Sequence, residues 1–422
     1  MKRVLLLATT TGYQIRSFGE AAQKLGVQMV FASDRCDQID DPWRDQAIPI
    51  RFHDEAHSVD AVIDACAGTP IDAVIAVGDR PAVLAGRVSD VLNLPGHPWA
   101  AVRASRSKLA SRRAFRAAGL LTPDFIDVSI TQDPVLLAAD CAFPAVIKPL
   151  ALSASRGVMR VDSARDLVPA FQRLRRLLQS PDIVGERDEI HARVLIESYV
   201  PGNEFAIEGV MTGGVFRPFV IFDKPDPLVG PFFEETIYVT PSDAAPDVQR
   251  AIVDHIAAAA RALGLKHGPV HAECRVNTQG VYVLEVAPRP IGGLCSRAVL
   301  FRGPGGSPAS LEEVLLRNAL GQDISEYVAD PRASGVMMIP IPKRGVYRGV
   351  NGVDAARTVT GIEDVRITAK ADEVLVPLPE GHSYLGFIFA RGEEPASVEQ
   401  SLRDAHAKLT FVIERGIELA RR

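Results

Sequence analysis

Residues 271–293, HAECRVNTQGVYVLEVAPRPIGG, decide how this chain reads. Cys274, Val276, Val281, Val283, Leu284 and Val286 suit strands, and Asn277 to Gly280 carry a turn, so the stretch is a β-hairpin. A three-residue loop, 278–280, closed by Gly280 in the left-handed conformation sets Asn277 against Val281. Counting outward, Glu273 then lies opposite Glu285 on one face, with His271 opposite Ala287. A two-residue turn would instead send the two glutamates to opposite faces.

Like charges facing each other across a ladder destabilise it, by roughly 0.2–1 kcal/mol for such pairs. Two glutamates there imply a cation between them, and carboxylates with room left for water and phosphate suit Mg²⁺. Arg289 falls on the same face as Glu285. A guanidinium beside the pair suits a developing acyl phosphate. The competing reading is a solvated Glu/Glu/Arg surface face.

The bulk properties narrow the classes. At 422 residues the chain has room for two to four packed units. Its 47 basic and 52 acidic side chains form no basic tract, which argues against nucleic acid as the main partner. Five cysteines (36, 66, 141, 274 and 295) are scattered without a C-x-x-C pair, as in a reducing cytoplasm. No run approaches the ~20 apolar residues of a membrane span, and Val4–Ala8 is too short for a signal sequence. The expectation is a soluble cytoplasmic protein.

From the amino terminus to about residue 105, strands (Val4–Ala8, Gln28–Ala32, Ala73–Val77) alternate with helices (Phe18–Leu25, Val59–Ala67, Pro81–Val91), predicting a parallel sheet. No G-x-G-x-x-G follows the first strand, so no dinucleotide site is expected there. Residues 9–12 (TTTG) and 78–80 (GDR) do follow strands, where open α/β sheets bind ligands. His53 and His57 flank Asp54, not the Glu that a zinc helix needs, and read as a surface turn. Ser105–Gly119 is expected to be one basic helix. A strand ending at Lys148 precedes a small-residue loop, with Ser153, Ser155, Arg156 and Gly157, whose N–H groups and hydroxyls can close over phosphates. Strand, bend and strand span Val194–Gly209, the bend freeing backbone groups near Ser198, Tyr199 and Val200, with Glu204 just beyond. From Ser334 short strands take over, and a helix Ser397–Glu418 closes an α+β unit with no ionisable cluster, read as a cap or oligomer surface.

In this order the pieces resemble the ATP-grasp superfamily over roughly residues 1–310, and EVAPRPIGG, with the β-rich tail, is most similar to the L-amino acid ligases. The resemblance implies an α/β and α+β multidomain ATP-grasp fold, divided at 1–104, 105–193, 194–324 and 325–422. It implies ATP with Mg²⁺ or Mn²⁺, amino acid substrates joined into a dipeptide, and a homodimer. Lys108 and Lys148 would hold the phosphates under the 152–158 loop, Glu197 through Val200 would meet adenine, and Glu204 the ribose. Glu273 and Glu285 would bind the metal. Arg289 would stabilise the acyl phosphate, with the Gly292 and Gly293 amides near the oxyanion. Phe232, Phe233, Glu234, Glu235, Cys295 and Arg297 are substrate-pocket candidates, with Glu234 or Glu235 on an ammonium. Ala287 stands where many ATP-grasp enzymes carry a metal-binding Asn. His271 either fills that space, helps hold substrate, or is a packed neutral strand histidine. The rival readings are a bicarbonate-phosphorylating carboxylase and a non-catalytic ATP sensor.

Overall fold

A computed structural model describes residues 1–9, 14–34 and 47–415. The amino-terminal strands form a parallel sheet in the order Ile48–Pro49, Gln28–Ser33, Arg3–Ala8, Ala73–Val77. Val4, Leu5, Leu6 and Leu7 are all fully buried, because both faces of the sheet are covered. Val4 and Leu6 pack with Phe18 and Ala22, whereas Leu5 and Leu7 pack with Val59 and Val62. The first helix, Ile15–Leu25, stops at Gly26, which takes φ 63°.

A second, four-stranded sheet runs Phe125–Ser129, Arg193–Ser198, Ala145–Pro149, Met159–Val161, with helix Ala164–Leu178 packed on it. Strand Arg193–Ser198 carries this sheet past residue 193. The third and largest sheet has eight antiparallel strands, in the order Gly280–Ala287, Gly268–Asn277, Asn203–Thr212, Val215–Asp223, Ile237–Thr240, Ala333–Ile339, Gly386–Gly392, Ile362–Ile367. Its last three strands come from the carboxy-terminal part, which is therefore sewn into the central sheet rather than set on it as a separate cap.

Two helical expectations fail at their ends. The basic helix breaks into Trp99–Arg106 and Lys108–Ala117, because Ser107 leaves the helical region (φ −88°, ψ 108°) and its hydroxyl caps the Ala110 N–H. That cap makes Lys108 the first residue of the second helix. At the carboxy terminus the helix is Pro395–His406, followed by a strand Thr410–Glu414 that pairs with Gly345–Asn351. Residues 416–418 of the expected helix lie outside the described residues. Asp54, read as part of a surface turn, instead caps helix Glu55–Cys66 through the His57 N–H.

The amino-terminal unit meets the central sheet at a buried histidine. His97 Nε2 donates to the Pro269 carbonyl at 3.0 Å, and Nδ1 accepts from the Lys266 N–H at 3.2 Å, which fixes a neutral ring. Burial holds its pKa down at about 4 against an ordinary 6.5, partly opposed by the Pro269 carbonyl. Between those two values the unfolded chain takes up a proton that the native state refuses. His97 therefore adds nothing against stability above pH 6.5, and native stability falls as pH drops from 6.5 towards 4, by on the order of 3 kcal/mol. Denaturant melts of wild type and His97→Asn across that window should show the steeper acid loss in wild type; parallel curves would refute the assignment.

Candidate active site

The site-forming face of the large sheet follows from strict alternation along Gly268–Asn277. Val270, Ala272 and Cys274 point to the core under helix Pro246–Leu263, against Ile252, Ile256 and Ala260. His271, Glu273 and Arg275 point the other way, into a cavity of about 550 Å³. On the neighbouring strand the partners of that row are Glu208, Ala206 and Glu204. Opposite charges thus face each other at both ends of the row, and Glu273, in the middle, faces an alanine.

On its other side Glu273 pairs with Glu285, and His271 with Ala287, as expected, but by a different route. The turn has only two residues, 278 and 279, because Asn277 pairs with Gly280. Cys274 pairs with Val283 and Glu273 with Glu285, so Leu284 is the extra residue of a bulge. The bulge shifts the register by one and returns the glutamates to a common face. The freed Leu284 carbonyl accepts from Arg112 Nη1 at 2.8 Å.

Arg112 has no exposed surface, and its Nε also donates to Glu197 at 2.6 Å. Glu197, expected near adenine, is buried between Arg112 and the Lys148 ammonium, with which it forms a close ion pair. Burial opposes its charge, but the two cations hold its carboxyl below the usual range. Burial also draws Lys148 down to about 8, against the pull of Glu197. Lys108 reaches the same corner, donating to the Leu152 carbonyl at 2.9 Å and pairing with Glu285 at 3.3 Å.

Lys224, which follows strand Val215–Asp223, went unread in the sequence. Its ammonium lies 2.8 Å from Glu204, 2.8 Å from Glu235 and 2.9 Å from Glu273. Among the described residues these three carboxylates are the group whose oxygens converge, within 4.8 Å of one another. Hard oxygen donors suit a magnesium-type ion, but here the Lys224 ammonium already sits among the three, and Glu285, the expected second metal ligand, is not one of them: it pairs with Lys108. Burial pushes Glu235 up to about 7, with Lys224 pulling the other way and Glu273 pushing further. Glu204 also accepts from Arg275 at 2.7 Å.

His271 is not the neutral packed residue that was one expectation. Its Nδ1 donates to Glu208 at 2.5 Å, and Nε2 lies 3.7 Å from Glu273. Burial disfavours its charge, yet Glu208 and Glu273 outweigh burial and hold the ring at about 9, so it is an imidazolium at neutral pH.

Arg289 lines the cavity and donates to Asp79 at 2.6 Å, which ties the loop after strand Ala73–Val77 to the site. Thr9, Gly78 and Arg80 line it too, while residues 10–13 lie outside the described residues. Ser153, Ser155, Arg156, Ser198, Tyr199 and Val200 line it as well, as do Gly292, Gly293, Glu235, Cys295, Tyr238 and Tyr384. Four candidates lie outside the lining. Gly157 is packed against Leu174 and Leu177, Glu234 is outside the lining and bonded to the Ile341 N–H, and Arg297 pairs with Asp364. Phe233 lines the cavity and Phe232 does not.

A parallel-sheet unit, a small sheet with a small-residue loop and a large antiparallel sheet, around a cleft lined by lysines and carboxylates, define the ATP-grasp architecture. Three family models match in order: an ATP-grasp N-terminal domain over 19–96, an ATP-grasp domain over 141–298 and an L-amino acid ligase C-terminal domain 2 over 337–414. The crystal structure of an L-amino acid ligase from Bacillus licheniformis superposes with a TM-score of 0.82, at 24% identity over 98% of this chain and 99% of that one. Carnosine synthase 1 of Gallus gallus is 30% identical over 295 residues, which are 68% of this chain but 31% of that protein. A D-alanine–D-alanine ligase of Pseudomonas entomophila is 25% identical over 165 residues, 38% of this chain and 46% of that protein. The chain belongs to the ATP-grasp superfamily, as a carboxylate–amine ligase. Enzymes of this class bind ATP and Mg²⁺ and act on small molecules. No helix among the described residues is long and apolar enough to cross a membrane.

Two outcomes check this electrostatic frame. Arg112→Ala removes one of the two cations on buried Glu197 and strips the Leu284 carbonyl of its side-chain donor, and should cost about 3–5 kcal/mol in chemical denaturation. Arg113→Ala, at an exposed pair, should stay within ~0.5 kcal/mol. As for pH, Lys148 carries its charge below about 8 and loses it above. If that charge meets the nucleotide, kcat/KM for ATP should be flat below pH 7 and fall as pH rises through 8; a profile flat to pH 9 would exclude it.

Proposed function

We propose that this enzyme joins two amino acids into a dipeptide, with ATP cleaved to ADP and phosphate. The carrying observation is the Glu273–Glu285 pair on one face of the hairpin, with Lys108 on Glu285 and Arg289 lining the same cavity. Lys108 and Lys148 align ATP's phosphates beneath the 153–157 loop, and at the bend the Val200 N–H is the group offered to the base, since the Ser198 and Tyr199 N–H groups donate to the Asp124 and Pro144 carbonyls and the Val200 carbonyl accepts from Arg275, with Glu204 at the ribose. Glu273 and Glu285 would hold Mg²⁺, which supplies charge neutralisation at the transferred phosphoryl group when bound. The γ-phosphoryl passes to a substrate carboxylate oxygen, giving an acyl phosphate and ADP. The amine of the second amino acid then attacks the acyl carbon, and phosphate leaves as the amine gives up its proton. Arg289 and the amides at Gly292 and Gly293 face the oxygen that gains charge. Glu235 is placed to pair with a substrate ammonium, the cavity wall beside it being Tyr238, Cys295 and Tyr384. The carboxy-terminal family match and the Bacillus licheniformis fold support the amino acid ligase reading over other ATP-grasp chemistries.

Incubation with ATP, Mg²⁺ and pooled amino acids should yield dipeptide masses in step with ADP. ADP formed with bicarbonate and no amino acid would replace the reading with a carboxylase. Glu285→Ala should abolish turnover and leave the circular dichroism spectrum unchanged. Glu235→Gln should raise the KM of one amino acid about ten-fold or more, the scale of a lost hydrogen bond to a charged group; unaltered kinetics would remove Glu235 from the pocket.

A further inference from the structure

The segment 377–384 leaves the carboxy-terminal unit and crosses onto the phosphate-side loop of the small sheet. Pro379 O accepts from the Gly157 N–H at 2.8 Å, and Glu380 O accepts from Arg156 Nε at 2.8 Å. Arg156 completes its engagement with Asp182 at 2.7 Å. The Glu380 carboxylate grips Arg173 with both oxygens, at 2.5 and 2.8 Å. Arg173 stands on helix Ala164–Leu178, whose Leu174 and Leu177 wall in Gly157. This strap therefore touches both the loop and the helix behind it.

The loop itself is in an unfavourable shape. Ala154 and Ser155 both take left-handed conformations, at φ 52° and 53°, although neither is glycine. Such residues persist where the surroundings over-determine them, and here the strap holds the two residues that follow, Arg156 and Gly157, with Asp182 also on Arg156 and Lys108 on the Leu152 carbonyl before them. The strap is shaped by close backbone approach: a Cβ on Gly381 would sit 1.7 Å from the Val376 carbonyl oxygen. Its far end supplies His382, Ser383 and Tyr384 to the cavity wall, whereas Glu380 lines no part of the cavity. One continuous segment thus holds the phosphate-side loop and walls the substrate end.

We propose that Glu380 is a positioning residue: through Arg173 it seats the strap's carbonyls on Arg156 and Gly157, and so holds the 153–157 loop shut over the nucleotide. The chemistry rests on the ligase reading above, while the grip on the nucleotide does not depend on which acceptor is used. A loosened loop admits water to the acyl phosphate. Water oxygen then adds to the acyl carbon, phosphate leaves, and the carboxylate is regenerated with ADP spent and no amide made.

The test uses the full chain, with Glu380→Ala, Arg173→Ala and the reversed pair Glu380→Arg with Arg173→Glu. Each single variant should bind a non-hydrolysable ATP analogue with Mg²⁺ about five-fold more weakly and raise the KM for ATP to match, the scale of one well-formed exposed ion pair. The ratio of ADP to amide should climb above one, and the reversed pair should recover both properties. A folded single variant with wild-type affinity and wild-type coupling overturns the proposal, as does a reversed pair no better than the singles. Where an alanine variant fails to fold, Glu380→Gln carries the same comparison. Wild type that binds the analogue but makes no amide from pooled amino acids would sink the ligase reading, and the affinity comparison would still decide the role of Glu380.

Discussion

The site depends on one buried guanidinium. Arg112 draws together a helix, Lys108–Ala117, and strands from two different sheets, Arg193–Ser198 and Gly280–Ala287. Its bond to the Leu284 carbonyl satisfies the group that the bulge releases from the ladder, which would otherwise be buried without a partner. Without the bulge, a two-residue turn would leave Glu273 and Glu285 on opposite faces. Its bond to Glu197 joins that of Lys148 in holding a carboxylate charged at a depth that disfavours it, and Glu197 in turn keeps Lys148 charged in a place that disfavours ammonium. Metal-side and phosphate-side geometry thus share a single origin.

Around this pivot the charges come already matched. Glu204 meets Arg275 and Lys224, Glu208 meets His271, and Asp79 meets Arg289. Paired and largely buried, these groups hold fixed orientations, so an incoming ligand is met by an arranged field rather than by side chains that must first be ordered.

Much of this was legible in the sequence, for reasons that differ from place to place. The parallel sheet showed as unbroken apolar runs, since strands covered on both faces lack alternation. The hairpin showed through its alternating valines, and its glutamate pairing was read rightly from a wrong turn: a two-residue loop and a bulge give the same register as a three-residue loop. Bulges leave little trace in composition, and Leu284 looks like any strand residue. Lys224 was missed because it follows an ordinary strand and acquires meaning only from Glu204, Glu235 and Glu273, all distant in the chain. Arg112 sat among Arg113 and Arg116 in a helix that reads as uniformly basic, and burial alone distinguishes it. The split of that helix at Ser107 was visible as a Ser before Lys-Leu-Ala, a cap signal hidden inside a run with good helical propensity. The carboxy-terminal unit was misjudged because its contribution to the cavity comes from a loop of Pro, Gly, His and Tyr rather than from a charged cluster.

The seam between the central and carboxy-terminal strands has a mechanical corollary. Ile237–Thr240 pairs with Ala333–Ile339 along its whole length, so displacing the tail as a body would mean tearing a ladder of main-chain bonds. Among the described residues the small sheet is held by fewer main-chain bonds: the Met159–Phe232 bridge, the Arg160 N–H on the Pro231 carbonyl and the Gly157 N–H on the Pro379 carbonyl. It is joined in the chain through Tyr199–Gly202, where Gly202 takes φ 127° and a Cβ would lie 2.2 Å from the Val276 carbonyl oxygen. Displacing the small sheet about that segment would break those few bonds and the Arg112 bridge, against a whole ladder at the tail, so the molecule is a vice with one jaw welded and the other latched.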